Sequence, residues 1–112
     1  MRVKELSEVL GVEPIQPEFE DAEILGGYTS DLLSDVMAHA TSGSVLITIQ
    51  AHKNTVAVAG LVGILAIILA NGRPVPEDMV EAARKEGIAI FRSQETQFVL
   101  SGKLYTLLTS SQ

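Results

Sequence analysis

Apolar residues change their spacing along the chain, and the changes divide it into alternating helices and strands. Residues 3–10 carry apolar side chains at helical spacing, whereas residues 44–50 form a continuous run rich in Val, Ile and Thr. The pattern predicts helices over residues 3–10, 32–39, 55–64, 76–87 and 94–108. It predicts strands over residues 23–28, 44–50, 66–70 and 88–91, a short candidate edge strand at 13–16, and a polar, frayed end at 109–112.

Turn and capping residues support these boundaries. Gly11 stops the first helix, and Pro76 precedes two acids that favour a helix start. Asn54 is a candidate cap of the third helix, and the residues that could cap the second are Thr29, Ser30 and Asp31. Strands alternating with helices require crossover connections, and continuous apolar runs are typical of strands buried on both faces. We therefore predict an α/β fold, three-layer α/β/α with a mostly parallel central sheet of four to five strands, in one domain over residues 1–112.

The predicted core follows from the same pattern. It comprises Val45, Ile47, Ile49, Val58, Leu61, Leu65, Ile67, Ile68, Leu69, Ile88, Ile90, Leu104 and Leu107. In the last helix, Phe98 and Leu108 are expected to join Leu104 and Leu107 on the core face. Gly26 and Gly27 interrupt an otherwise branched strand, which predicts a β-bulge or the close approach of a ligand or another chain.

Composition removes several classes of function. The 112 residues are 46% hydrophobic and carry a net charge of −6, so the chain should fold and should be repelled by nucleic acid. The absence of cysteine excludes disulfides, thiolate nucleophiles and Cys-ligated metals. Residues 56–70 lack charge but are shorter than the roughly 20 residues of a membrane span. No signal peptide is recognised, and we expect a cytoplasmic protein without a membrane partner.

Catalytic signatures are also missing from the sequence. It contains no GxxxxGK[ST], GxGxxG, GxSxG or HExxH motif, so we predict no enzymatic activity, no metal site and no cofactor. Asp31 and Asp35 lie four residues apart on a predicted helix, a spacing typical of a solvated face. The presence of His39 is explained by its place near a helix C-terminus, where the helix dipole favours a positive charge.

One constellation follows from the predicted topology. Ligands of parallel α/β sheets gather beyond the carboxyl ends of the strands. The residues expected there are Thr29, Ser30, Asp31, Gln50, His52, Asn71, Gly72, Arg73, Arg92 and Ser93. Loops at that edge are polar in every such domain, so the alternative is that these residues cap helices and contact solvent. His52 in particular fits a capping or surface role.

The ordered segments resemble the DRTGG domain family over residues 3–108. The resemblance rests on Gly26-Gly27, on SDLLSDV at residues 30–36, and on Gln50, His52 and Asn54, although no literal DRTGG string is present. It implies the fold of the N-terminal domains of HPr kinase/phosphorylase and Mur ligases. In the family such domains are accessory or regulatory modules, and in Mur ligases the related domain helps to hold a uridine nucleotide.

Two functions therefore remain open. The first is a non-catalytic regulatory or protein-interaction module that binds a protein encoded nearby or itself. The second is a small-molecule domain for a nucleotide or other anion, with the candidate ligand-binding residues Gly26, Gly27, Thr29, Ser30, Asp31, Gln50, His52 and Asn54. The high apolar content and the uncharged run at 56–69 predict a homodimer.

Overall fold

Helices and strands alternate along residues 1–110, the part of the chain that the computed structural model describes. Residues 111–112 of the predicted frayed end lie outside this part. A 3-10 turn, Val3–Glu5, leads into the first helix. The helices are α1 (Leu6–Leu10), α2 (Leu33–His39), α3 (Lys53–Val62), α4 (Glu77–Glu86) and α5 (Gln97–Ser110). The strands are β1 (Glu13–Gln16), β2 (Gly26–Thr29), β3 (Ser44–Thr48), β4 (Ala66–Leu69) and β5 (Ala89–Arg92).

The five strands form one sheet in the order β1-β5-β4-β3-β2. Strands β2 to β5 are parallel neighbours in chain order, and β1 adds an antiparallel edge against β5. The predicted α/β fold with a mostly parallel sheet is confirmed, and so is the candidate edge strand. Since β2 to β5 run the same way, their carboxyl ends meet at one edge of the sheet.

Helices cover both faces of the sheet. Alternate residues of β3 and β4 point to opposite sides, so Val45 and Ile47 pack with α1 and α5. Leu46 and Ile67 pack on the other side with the residues of α2, α3 and α4. Both central strands are buried along their whole length, which explains why their sequences do not alternate.

For two residues, the prediction of a place in the core is wrong. Leu61 is 77% exposed and Phe98 is 88% exposed. A helix on the outside of a three-layer fold turns only one side to the sheet, and in α5 that side carries Leu100 and Leu104. Leu61 belongs to the outer side of α3, so that helix is not covered on every side. Four further predicted core residues are only partly buried against the core, namely Ile49, Leu65, Leu107 and Leu108.

Capping and element boundaries also differ from prediction. The cap of α3 is His52, whose ring Nδ1 accepts a hydrogen bond from the Asn54 amide at 3.0 Å, rather than Asn54 itself. Helix α2 begins after Leu32 without a side-chain cap, and α5 begins three residues later than predicted, at Gln97, and continues to Ser110. The charge-free run at 56–70 divides between α3 and β4 as predicted. Among residues 1–110, none of the helices has the length and apolarity to cross a membrane.

The glycine pair does not form a bulge. Gly26 and Gly27 pair in regular register with Ser44 and Val45, and neither has a positive φ. A Cβ on Gly27 would lie 3.0 Å from Leu104 Cδ2, which shows that α5 approaches β2 closely at this point. The close neighbour of Gly27 is therefore the chain's own helix α5, whereas the sequence indicated a ligand or another chain.

Candidate functional site at the carboxyl ends of the strands

Asp31 is the centre of a hydrogen-bond network beyond the carboxyl ends of β2 and β3. Its Oδ1 accepts bonds from Thr48 Oγ1 at 2.9 Å, the Ile49 amide at 2.9 Å and Gln97 Nε2 at 2.7 Å. One carboxylate oxygen thereby connects the β2–α2 loop, the end of β3 and the start of α5. Asp31 precedes α2, so the prediction that it shares a solvated helix face with Asp35 is wrong.

Gln50 extends this network. Its Nε2 donates to the Asp31 carbonyl oxygen at 2.9 Å, and its amide donates to Thr48 Oγ1 at 3.1 Å. The Gln50 carbonyl oxygen accepts a bond from Thr55 Oγ1 at 2.8 Å, which anchors the first turn of α3. Asp31, Thr48 and Gln50 thus bind one another, and these bonds hold the loops in place.

The hydroxyls of Thr29 and Ser30 are also engaged within the chain. Thr29 Oγ1 lies 2.6 Å from Ser101 Oγ on α5. Ser30 Oγ accepts a bond from the Leu32 amide at 3.2 Å, which shapes the turn into α2. Both side chains hold the loop in place, in keeping with the local bonds that serine and threonine make in turns.

The remaining candidate residues lie apart from Asp31. His52 and Asn54 are exposed at the start of α3, where the His52 ring is engaged in capping. Gly26 and Gly27 stand at the opposite end of β2, beside the first two residues of β3. The structure thus gathers Thr29, Ser30, Asp31 and Gln50 into adjoining loops and leaves the glycine pair elsewhere.

The loops after β4 and β5 close on each other. The Asn71 amide donates to the Glu95 carbonyl oxygen at 2.9 Å, and the Gly72 amide donates to Ser93 at 2.7 Å. Asn71 and Gly72 both adopt a left-handed conformation, with φ of 61° and 60°. A Cβ on Gly72 would meet the end of the Gln94 side chain, which would have to move, and the left-handed backbone at this position favours glycine. Arg92 makes an ion pair with Glu13 of β1 at 3.0 Å rather than facing the loops.

A second polar cluster, missed by sequence reasoning, joins β2 to α2. The Tyr28 hydroxyl donates to Asp35 Oδ2 at 2.8 Å, and His39 Nδ1 lies 3.0 Å from Asp35 Oδ1. The bond from Tyr28 holds the pKa of Asp35 below its ordinary value, and the same bond raises the pKa of Tyr28. His39 is therefore placed by an ion-pairing carboxylate one turn away, a spacing that the sequence does display.

The acidic and histidine side chains of residues 1–110 do not cluster as metal ligands. Within that part of the chain, no three His, Asp or Glu side chains converge as a metal site would require. Asp31 and Asp35 are held in separate networks by different partners. The hydrogen bonds of Asp31 hold the β2–α2 loop, the end of β3 and the start of α5 together.

Comparison with protein families identifies the fold. The family described as HPr Serine kinase N terminus matches residues 46–108, more than half of the chain. The chain belongs to this family. The DRTGG resemblance drawn from the residues is thereby confirmed, and the match includes the last three residues of β3, all of α3, β4, α4 and β5, and nearly all of α5.

Individual relatives agree with the assignment. The chain is 41% identical over 46 residues to HPr kinase/phosphorylase of Streptococcus equi subsp. zooepidemicus and, equally, to that of Streptococcus equi subsp. equi. These 46 residues are 41% of this chain but 15% of each relative. The chain therefore matches only a small part of the curated relatives.

A solved structure shows the same fold over most of the chain. It contains the CBS and DRTGG domains of the regulatory region of Clostridium perfringens pyrophosphatase, complexed with the activator diadenosine tetraphosphate. The TM-score is 0.71 at 14% identity, and the match covers 91% of this chain and 45% of that one. At this identity the likeness concerns the fold alone.

Proposed function

We propose that residues 1–112 form a cytoplasmic, non-catalytic regulatory module that acts by association, with a second copy of the chain as its partner. The observation that carries the proposal is the Asp31 network: at the edge where α/β domains usually bind ligands, Asp31 already bonds to Thr48, Gln50 and Gln97. On the surface around β2 and α5, several large apolar side chains contact solvent. The most exposed of them are Leu25, Leu32, Phe98 and Tyr105.

The family relationship supports a regulatory role. The pyrophosphatase fragment with this fold is named as part of a regulatory region. HPr kinase/phosphorylase is named as an enzyme, yet this chain matches only 15% of the length of that protein. The sequence of this chain has no P-loop. We propose that the activity in that name belongs to a part of the relatives outside the matched segment.

The association is testable by mass measurement. At tens of micromolar chain, light scattering coupled to size-exclusion chromatography should give about twice the single-chain mass of 12.0 kDa. The mass should fall towards 12.0 kDa on dilution, because association depends on concentration. A mass that stays at one chain over the whole series would contradict the proposal and would favour a different protein as the partner.

A nucleotide or anion ligand is the second candidate function, and one observation favours it. The neighbouring pyrophosphatase fragment was solved with diadenosine tetraphosphate. In this chain the residues available to such a ligand are those of the strand-end loops, with Lys53 as the adjoining cation. Against it, Asp31 adds negative charge there, and the net charge of −6 opposes a polyphosphate.

Thermal shift separates the two candidates. Because Asp31, Thr48 and Gln50 already bind one another and the chain is acidic, we expect millimolar diadenosine tetraphosphate, ATP or triphosphate to leave the melting temperature unchanged. A ligand present at one hundred times its Kd would stabilise the fold by about 2.7 kcal/mol, which is easily detected. If a shift appears and Lys53→Ala and His52→Ala reduce it, the ligand-binding function is established for these loops.

A further inference from the structure

The inference rests on the proposed function and names the surface through which two copies associate. We propose that the outer face of α5 packs against the same face of a second copy, with the two helices antiparallel about a twofold axis. This outer face is the stripe formed by Phe98, Gly102, Tyr105 and Thr109. Such a contact is isologous, as in most homodimers, because each copy offers the same surface.

The outer face of α5 is apolar although it points away from the sheet. Leu100 and Leu104 are buried on the inner side, whereas Phe98 is 88% exposed and Tyr105 is 70% exposed. A helix that is apolar on every side is normally covered on every side. The rest of the described chain covers the inner side of α5, so the outer face has room for a partner.

The spacing of the stripe is that of a seam between two helices. Its members follow one another at intervals of four, three and four residues along α5. Apolar residues at these alternating intervals stay on one side of a helix and meet a second helix along their whole length. The 14 residues of α5 give a seam of about 21 Å.

Gly102 is the member of the stripe that the fold of a single chain does not explain. A Cβ at this position would meet nothing within 4 Å, and Gly102 does not have a positive φ. Glycine inside a helix is less stable than alanine, because it loses more backbone freedom on folding. Its absent side chain is useful where a second helix approaches closely.

The stripe is complementary to itself when the two helices are antiparallel. With the twofold axis between Gly102 and Tyr105, the Tyr105 ring of each copy lies over Gly102 of the other, and Phe98 lies over Thr109. A side chain of one helix then fills a space left by the other, as in packed helix pairs. In a parallel pair, Gly102 would face Gly102 and Tyr105 would face Tyr105, so a gap would stand beside a collision.

Charge favours a second copy as the occupant of this face. Helix α5 contains none of the 14 acidic residues of the chain, and its single cation, Lys103, is paired with Glu95 at 2.8 Å. Two copies that each carry a net charge of −6 repel each other wherever acids face acids, so α5 is where they approach with little opposition. A basic partner would gain nothing from an uncharged face. The exposed Leu61 of α3 is less suitable, because Glu86 lies close to the neighbouring Gly60.

The area of the stripe is of the size that a dimer needs. An aromatic side chain can bury about 150–250 Å², so the exposed parts of the four rings in a dimer amount to roughly 500–800 Å². The exposed residues Val99, Gly102, Thr106 and Thr109 add to this area. The total approaches the roughly 1,000 Å² that a specific interface buries.

Two substitutions at positions open to solvent test the inference. Gly102→Lys adds a side chain where the single chain leaves open space, and Tyr105→Asp replaces a side chain that is 70% exposed. Each variant alone should raise the dimer Kd by roughly tenfold or more, since the first fills the space for the tyrosine ring and the second removes the ring. Ala57→Lys, at an exposed position of α3 on the other face of the sheet, is the matched control and should dimerise like the wild type.

Mixing the two variants tests the antiparallel register. In a mixed pair, one contact is still Gly102 with Tyr105, and the other brings the introduced lysine of one chain to the introduced aspartate of its partner. We expect the mixture to give twice the single-chain mass of 12.0 kDa at a concentration where each variant alone stays at 12.0 kDa. Parallel helices would not bring the two introduced charges together.

A distance measurement keeps the inference testable if either variant fails to fold. The chain has no cysteine, so Ser110→Cys can carry a single spin label at the exposed end of α5. A rise of about 1.5 Å per residue and a helix spacing of about 8–10 Å place the two labelled Cα atoms roughly 20 Å apart in the antiparallel pair. A separation near 10 Å would indicate parallel helices, and one above roughly 35 Å a contact away from α5, and either result overturns the inference.

The outcomes separate the inference from the proposed function. If the wild type never dimerises, the proposed association fails and the inference fails with it. If the wild type dimerises and folded Gly102→Lys and Tyr105→Asp do so equally well, the association stands and the α5 interface is wrong. If both variants lose the dimer and their mixture does not restore it, the antiparallel pairing of Gly102 with Tyr105 is wrong.

Discussion

Ile67→Ala is expected to lower the free energy of unfolding by about 2–5 kcal/mol, the usual range for truncating a buried isoleucine. Ile67 is 0% exposed in β4, the middle strand of the sheet, where it pairs with Leu46 on β3 and Ile90 on β5. It packs against the α2, α3 and α4 layer, so the cavity would be enclosed on all sides. Urea denaturation at a fixed chain concentration measures the change. The urea concentration at the midpoint should fall, and the dependence of the unfolding free energy on urea concentration should stay the same.

Leu61→Ala is the matched control for this prediction. The hydrophobic pattern places both residues in the core, but Leu61 is 77% exposed on the outer side of α3. Its truncation should change stability by no more than about 0.5 kcal/mol, as at other surface positions. An Ile67→Ala cost below about 1 kcal/mol, or equal costs for the two variants, would contradict the three-layer packing.

Asp31→Ala is expected to cost about 2–4 kcal/mol of unfolding free energy, since three hydrogen-bond donors lose a charged acceptor together. One of them, the hydroxyl of Thr48, belongs to a side chain that is 0% exposed. The others are the Ile49 amide and the Gln97 amide group, which connect β3 and α5 to the loop. The same urea experiment, with circular dichroism to confirm the fold, measures the loss.

Two further variants show whether the network causes that loss. Asp31→Asn keeps an oxygen in place and should cost clearly less than Asp31→Ala. Gln97→Ala removes one donor, and its effect should not add to that of Asp31→Ala, because the two side chains share the 2.7 Å bond. If Asp31→Ala leaves stability unchanged, Asp31 is not a structural residue, and its place at the strand ends would again favour a ligand contact.

The distinction matters for function because a polar residue at the strand ends serves two different purposes in α/β domains. A residue that holds loops together lowers stability when it is removed, whereas a ligand contact lowers affinity and leaves the unliganded fold intact. Asp31 is bonded through both its side chain and its carbonyl oxygen. The network therefore indicates a rigid frame at the carboxyl ends of β2 and β3.

The spacing of apolar residues and the positions of glycine and proline were enough to predict the layers of this protein. The continuous apolar runs at 44–48 and 66–69 are buried strands, and the glycine at 87 ends α4 with a φ of 70°. The helix end depends on local backbone geometry, and the unbroken apolar runs reflect burial of both faces of a strand. Both features can be predicted from residues that are neighbours in the sequence. The DRTGG resemblance pointed to the same fold through SDLLSDV and the residues around it.

The boundaries of the candidate site depended on contacts between distant parts of the chain. In the sequence, Asp31 cannot be distinguished from any other aspartate of a loop. Only the packing of β3 and α5 brings Thr48 and Gln97, which lie 17 and 66 residues away, to one of its oxygens. Likewise, Phe98 and Leu100 are both apolar residues of α5, and the side on which β2 and β3 lie decides that Leu100 is buried. The strand order decides which backbone groups remain unpaired. The sequence by itself determined the kinds of elements and their order, because these follow from short-range sterics and hydrophobic burial. The tertiary structure alone decided which polar groups bind one another, because those pairings arise only when the layers close.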